Sequence, residues 1–266
     1  MANFGVYIQG KRGSIGRDLA ELAANSDIEL CDDPQDAAFV ALCVPAHAAQ
    51  DILDAKTHRD RVVIDFSGAA KRSRIGQYGL MLSSTEPWDQ KLNRNERVFG
   101  NPGCIASAVI KGLDVSGIKD QNPREISVFA VGGSSYAHEI SPSEIRLAKR
   151  LIEHPHVTEI ETALGGATRV RSFMPTVSGG VERGLLVGVT GKVESIDGTN
   201  EGVVELGVQD VSETAVLKHR LETREAADGY EFSLGVVIDN LRFVTQNALD
   251  LMNYTRGETP YEPTTS

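Results

Sequence analysis

The chain has 266 residues, 41% of them hydrophobic and 24% charged, a balance that excludes disorder, collagen-like repeats and a membrane-embedded body. With 37 acidic against 27 basic side chains, a net charge of -10, it lacks the basic surplus that a phosphate backbone demands, so no nucleic-acid partner is expected. The length allows one large α/β unit or two smaller domains.

From the N-terminus, Met1 to Asn3 lead straight into a strand-like run, Phe4 to Gln9, with no basic or long apolar leader. No apolar stretch approaches the roughly 18 residues of a membrane span, so a cytoplasmic protein without a membrane partner is expected. Gly10 ends the first run, and Ile15 to Ala24 has helical spacing with Leu19, Leu22 and Ala23 on one side. Ala38 to Val44 reads as a buried strand, Ala48 to Ala55 as a helix and Val62 to Phe66 as a third strand. Leu80 to Leu82 and Val98-Phe99 are shorter strand candidates, followed by a turn and a helix from Ile105 to Leu113. Strands alternating with helices predict a parallel, doubly wound nucleotide-binding domain. Beyond about residue 120 the pattern changes. Glu125 to Val131, Gly184 to Val193 and Phe232 to Ile238 read as strands, Ser143 to Glu153 as a helix, and Leu241 to Asn253 as a final amphipathic helix. The expected fold is therefore a Rossmann-type α/β domain, residues 1–104 completed by a C-terminal helix 239–254, plus an α+β catalytic and oligomerisation domain, 105–238, with a largely antiparallel sheet. Gly257 to Ser266 reads as a loose tail.

Two motifs carry chemistry. Gly10, Gly13 and Gly16 form a G-x-x-G-x-x-G turn between the first strand and the first helix, where bare backbone and a helix N-terminus favour a pyrophosphate. Lys11, Arg12, Ser14 and Ile15 complete that loop. Gly100-Asn-Pro-Gly-Cys104 places a thiol at a helix start, where the macrodipole and unpaired N–H groups favour thiolate. The three cysteines, 31, 43 and 104, have neither disulfide nor zinc spacing, so no metal is expected, and Cys43 reads as a buried small hydrophobe.

Asn101-Pro-Gly-Cys104 resembles the N-P-G-C motif of the N-acetyl-gamma-glutamyl-phosphate reductase family, especially its shorter branch. Segments Tyr7 to Gly16, Ser26 to Leu30, Leu42 to Pro45, Val63 to Ser67, Val131 to Ser135, Phe173 to Pro175, Glu182 to Leu185 and Asp239 to Leu241 follow in the family's order. The resemblance implies a Cys104 nucleophile, and an acid/base histidine at His156, the second His of His154-Pro-His156-Val-Thr-Glu159, with Glu159 as its carboxylate partner. Read alone, those two histidines around a proline would be a helix-ending surface turn; His138 is the competing acid/base candidate. The resemblance further places Ser67 and Asn240 at the cofactor, and Lys71, Arg72, Ser134, Ser135, His154 and Arg183 at the substrate. Lys71 stands where the family carries an arginine, with Arg72 one residue later, and the loop after Ser135 is shorter than the family's. The implied reaction is NAD(P)H-dependent reduction of an N-acylated glutamyl phosphate, or a close amino-acyl phosphate, to the semialdehyde, as in arginine biosynthesis. NADP is the expected cofactor with NAD as alternative, and a homo-oligomer, dimer or tetramer, the expected assembly. Asp32 and Asp33, after the second strand, point towards NAD; Lys11 and Arg12 towards NADP. The competing reading is a catalytically silent nucleotide-binding sensor or partner subunit.

Overall fold

A computed structural model describes residues 4–82, 86–89, 91–136, 140–148, 151–202 and 217–257. The chain divides into two compact units, Met1–Gly103 with Val244–Ser266, and Cys104–Phe243.

The first unit holds a six-stranded sheet of β1 (Gly5–Gln9), β2 (Glu29–Cys31), β3 (Phe39–Leu42), β4 (Val62–Asp65), β5 (Gln77–Tyr78) and β6 (Val98–Gly100). Every pairing is parallel, in the order β2-β1-β3-β4-β6-β5. Helix α1 (Ser14–Ala24) carries the chain from β1 outward to β2; the chain then returns to β3 on the other side of β1. The strand order thus reverses between β1 and β3, the switch point where doubly wound sheets bind ligands. Both sheet faces are buried, which explains the unbroken apolar runs of the strands. On one face Val6, Ile8, Leu19, Ile64 and Phe99 pack with Leu249 and Met252 of α6 (Asn240–Arg256). On the other, Val40, Leu42 and Val63 pack with Ala49 and Leu53 of α2 (Ala46–Asp54) and Ala69 and Ala70 of α3 (Ala69–Ser73).

Leu80 to Leu82 is not a strand. Leu80 and Met81 are fully buried, but Met81 makes only an isolated bridge to Pro87. The Asn247 side chain satisfies this backbone instead, accepting from Met81 N at 2.9 Å and donating to Gly79 O at 2.8 Å. A side chain from α6 therefore does here what a neighbouring strand would do.

The second unit has β7 (Glu125–Gly132), β8 (Ile145–Leu147), β9 (Arg169–Ser178), β10 (Leu185–Val193), β11 (Lys218–Ala226) and β12 (Gly229–Ile238), in the order β11-β12-β10-β7-β9-β8. Among the described residues only β7 and β9 pair in parallel, so the sheet is largely antiparallel. Helix α4 (Cys104–Val115) packs on β10 and β12, and α5 (Pro155–Ala163) packs on β9 and against α4. A Cβ on Gly112 would lie 2.5 Å from the Val236 side chain, so glycine lets α4 approach β12 closely. The opposite sheet face leaves the paired Phe129 and Met174 43% and 44% exposed.

The described residues of Ser143 to Glu153 do not form a helix. Residues 145–147 form the edge strand β8, antiparallel to β9, and 151–153 form a turn. Ile145, Leu147 and Ile152 are exposed, so the apolar spacing that suggested a helix has no core to face, and pairing with β9 sets the conformation.

Candidate active site

At the β1–α1 turn, Gly10 has φ +94°, and a Cβ there would lie 2.3 Å from the Cys43 carbonyl oxygen at the end of β3. A Cβ on Gly16 would lie 2.4 Å from the Gly10 carbonyl oxygen. The fold itself demands both glycines. Gly13 differs, because its φ of -73° suits any residue and the nearest atom to a Cβ would be at 3.4 Å, an ordinary contact. Gly13 is also the N-cap of α1, where it offers no side-chain cap, and the first turn holds no acidic residue. An exposed, uncapped helix start with no side chain at its mouth fits a phosphate. Lys11, Arg12 and Ser14 are exposed around it and Ile15 is half-buried.

Ser67 follows β4. Its hydroxyl donates to Asp65 Oδ1 at 2.6 Å and accepts from Ala69 N at 3.1 Å, while buried Asp65 also takes Ala70 N on Oδ2 at 2.9 Å. This network shapes the turn into α3, which carries Lys71 and Arg72 in its last turn.

The Asn101-Pro-Gly lead to Cys104 is fixed by hydrogen bonds. Asn101 is 1% exposed; its backbone N donates to Asp65 O at 2.9 Å, its Nδ2 to Val244 O at 3.0 Å, and its Oδ1 accepts from Asn247 Nδ2 at 2.9 Å. Cys104 then opens α4, half-buried, as the first helical residue, and a helix start is the kind of position at which N–H groups and the dipole favour a thiolate. The other two thiols have surroundings that oppose ionisation. Burial and, second, the Asp65 carboxylate push Cys43 up to about 12, and burial followed by Glu29, Asp36 and Asp32 raises Cys31.

His154-Pro-His156 starts a helix rather than ending one. His154 is the N-cap of α5, its Nδ1 accepting from His156 N at 3.2 Å, and Pro155 takes the first helical position, where its missing N–H costs nothing. The His154 ring lies 4.7 Å from that of His156 and 5.1 Å from that of Phe173. Burial lowers the His154 pKa, and the Glu159 charge partly offsets this. Cys104 and His156 occupy the first turns of two helices that pack on each other within one unit. His138 lies outside the described residues.

Ser134, Ser135, Arg183 and Asn240 also come together in the second unit. Ser135 N donates to Glu182 O at 3.0 Å, and Asn240 donates from Nδ2 to Ser135 Oγ at 3.2 Å and accepts from Gly184 N at 3.0 Å. Ser134 N donates to Val181 O at 2.7 Å. Arg183 Nε pairs with Asp239, a buried carboxylate that also accepts from the Leu241 and Arg242 backbone N–H groups at 3.0 Å and so caps α6. Sequence reasoning missed Asp239 as a partner of Arg183, although an Asp directly before an amphipathic helix is a capping signal.

Together these features define a doubly wound parallel-sheet unit and an α+β unit that presents a helix-start cysteine. No protein-family model and no curated protein matches the chain. Among solved structures, it resembles aspartate semialdehyde dehydrogenase II from Vibrio cholerae with a TM-score of 0.73 and 14% identity, over 94% of this chain and 97% of that one. The same enzyme complexed with ASA matches with a TM-score of 0.73 and 13% identity, over 97% and 99%. A probable aspartate-semialdehyde dehydrogenase from Pseudomonas aeruginosa matches with a TM-score of 0.69 and 16% identity, over 93% and 97%. The chain therefore has the aspartate-semialdehyde dehydrogenase fold. Among the described residues no helix is long and apolar enough to cross a membrane.

Proposed function

We propose that the chain is an NAD(P)H-dependent reductase of acyl phosphates that works through a thioester on Cys104. The observation that carries this reading is the hydrogen-bonded Asn101-Pro-Gly lead that delivers Cys104 to the first turn of α4, beside the helix that begins at His154. The Cys104 thiolate attacks the acyl carbon, a C–S bond forms and phosphate leaves. A dinucleotide, when bound, would supply the hydride that reduces the thioester. N–H groups at the start of α4 and the His156 imidazolium stabilise the oxyanion, and its collapse to the aldehyde returns Cys104 as thiolate. Gly10 to Gly16 would hold the dinucleotide's pyrophosphate, with Gly13 leaving the backbone open to it.

We take the cofactor to be NADP. Asp33 Oδ1 accepts from Gln35 N at 2.7 Å and is folded into its own loop, while Arg61 donates to Pro34 O at 3.2 Å and Gln35 O at 2.6 Å. A guanidinium therefore stands at the loop after β2, where this fold class receives the ribose 2' substituent, and Lys11 and Arg12 add positive charge at the turn. An N-acylated glutamyl phosphate is the substrate favoured by the Asn-Pro-Gly-Cys motif. The fold neighbours favour an aspartyl phosphate as the second reading. A homo-oligomer belongs to the same proposal, supported by the bare sheet face at Phe129 and Met174 and read by sedimentation.

The test is phosphate-dependent oxidation of N-acetylglutamate semialdehyde and aspartate semialdehyde with NADP and with NAD. Turnover of one aldehyde selects the substrate. Nucleotide binding without turnover of any amino-acid semialdehyde overturns the enzyme reading in favour of a sensor.

A further inference from the structure

We infer that Ser107 is a positioning residue for Cys104, its hydroxyl donating a hydrogen bond to the sulfur when the thiol ionises; this rests on Cys104 being the nucleophile. Ser107 lies three residues after Cys104 on α4 and is 1% exposed. Its Oγ is buried with no hydrogen-bond partner among the described residues. A serine inside a helix ordinarily relieves this by bonding back to the carbonyl three or four residues earlier, and Ser107 does not. A buried hydroxyl left in this way is destabilising, and alanine would serve the helix better.

Helix geometry supplies the partner. Residues three apart share a helix face, and side chains lean towards the helix N-terminus, so Ser107 lies on the face of the helix that Cys104 opens, and rotation of its hydroxyl towards the sulfur makes the bond. A neutral thiol is a poor acceptor. A thiolate is a strong one, so the bond forms only when sulfur carries charge. The elements packed on α4 bring other groups. Helix α5 brings His156 and Glu159. The sheet offers the buried apolar Val187, Val189, Leu234 and Val236. On α4 itself Lys111 lies over the Phe243 ring and Asp114 pairs with Lys119 at 2.7 Å. Ser107 is thus a neutral donor whose contribution separates from these charges by substitution.

The experiment is the pH dependence of iodoacetamide labelling at Cys104, read peptide by peptide by mass spectrometry, in wild type, Ser107→Ala and Ser107→Thr, with thermal melts of each. The expected result is a Cys104 pKa about one unit higher in Ser107→Ala, recovered in Ser107→Thr, with the alanine variant at least as heat-stable as wild type. A lowered wild-type pKa that is unmoved in Ser107→Ala overturns the inference alone. A wild-type Cys104 that titrates as an ordinary thiol overturns the nucleophile reading and this inference with it.

Discussion

The two sheets treat their faces differently. The parallel sheet of the first unit is covered on both sides by α1 with α6 and by α2 with α3, whereas the mixed sheet of the second carries α4 and α5 on one side and leaves Phe129 and Met174 open on the other. The candidate chemistry divides along the same line. In the first unit it is made of backbone: a glycine turn at the switch point and an uncapped helix start. In the second it is made of side chains, a thiol and an imidazole at the first turns of two packed helices. Substitutions in the first unit should therefore act through sterics and binding, and in the second through reactivity.

The largest effects should fall in the second unit. Cys104→Ser should abolish turnover, a loss exceeding roughly 100-fold, or about 2.7 kcal/mol in barrier, while dinucleotide binding by calorimetry is unchanged. A variant that keeps more activity than that excludes covalent catalysis. His156→Ala should lose roughly 100- to 10,000-fold, and His154→Ala much less, because His154 already spends its Nδ1 on the α5 cap. Equal losses in the two would collapse the distinction between the catalytic and the capping histidine.

In the first unit the glycines offer a sharper contrast. Gly10→Ala drives a Cβ against the Cys43 carbonyl and should lower the melting temperature severely. Gly13→Ala has room and an unstrained φ, so stability should change by no more than about 0.5 kcal/mol, while NADP affinity falls as the methyl meets the pyrophosphate. If Gly13→Ala binds NADP as wild type does, the turn is structural only. Lys11→Ala with Arg12→Ala should weaken NADP more than NAD, and equal weakening would remove the charge argument for the 2'-phosphate.

A smaller, purely structural effect is expected at Asn247. Its side chain bonds to Met81 N, Gly79 O and Asn101 Oδ1, so Asn247→Ala should cost about 1–3 kcal/mol for the buried groups it strands. A denaturant melt measures this, and a neutral result would mean that water replaces the amide.

How far the sequence could be read follows the same division. The strands of the first unit are buried on both faces and announce themselves as apolar runs between turn signals. The strand β11 does not, since only Leu221 of its nine residues is buried and five of the other eight are charged, as suits an edge. The strand β8 was hidden for a different reason, because exposed Ile145, Leu147 and Ile152 mimic a helical apolar spacing, and Leu80 to Leu82 misled because burial without a ladder looks like a strand. At the candidate site, the glycine turn and Cys104 were legible from local pattern. The hydrogen bonds of Asn101 to Val244 and Asn247 join residues far apart in sequence, and no local pattern encodes them.

The smallest expected effect is a pH dependence at the α5 cap. Burial of the ring holds the His154 pKa below its ordinary value of 6.5, and Nδ1 must stay unprotonated to accept from His156 N. The folded chain therefore resists a proton that the unfolded chain accepts. Stability from this residue is fully present above the unfolded value and is lost as pH falls from there through the folded pKa, below which the loss levels off. His154→Asn keeps a cap but cannot titrate, so its melting temperature should fall less between neutral pH and the acidic side of 6.5 than that of wild type. Glu159 opposes the depression, so Glu159→Gln should lower the His154 pKa further and deepen the acid loss. If the three proteins lose stability in parallel, His154 gains its proton without breaking the cap, and the segment is held by Pro155 and the ring contact with Phe173 instead.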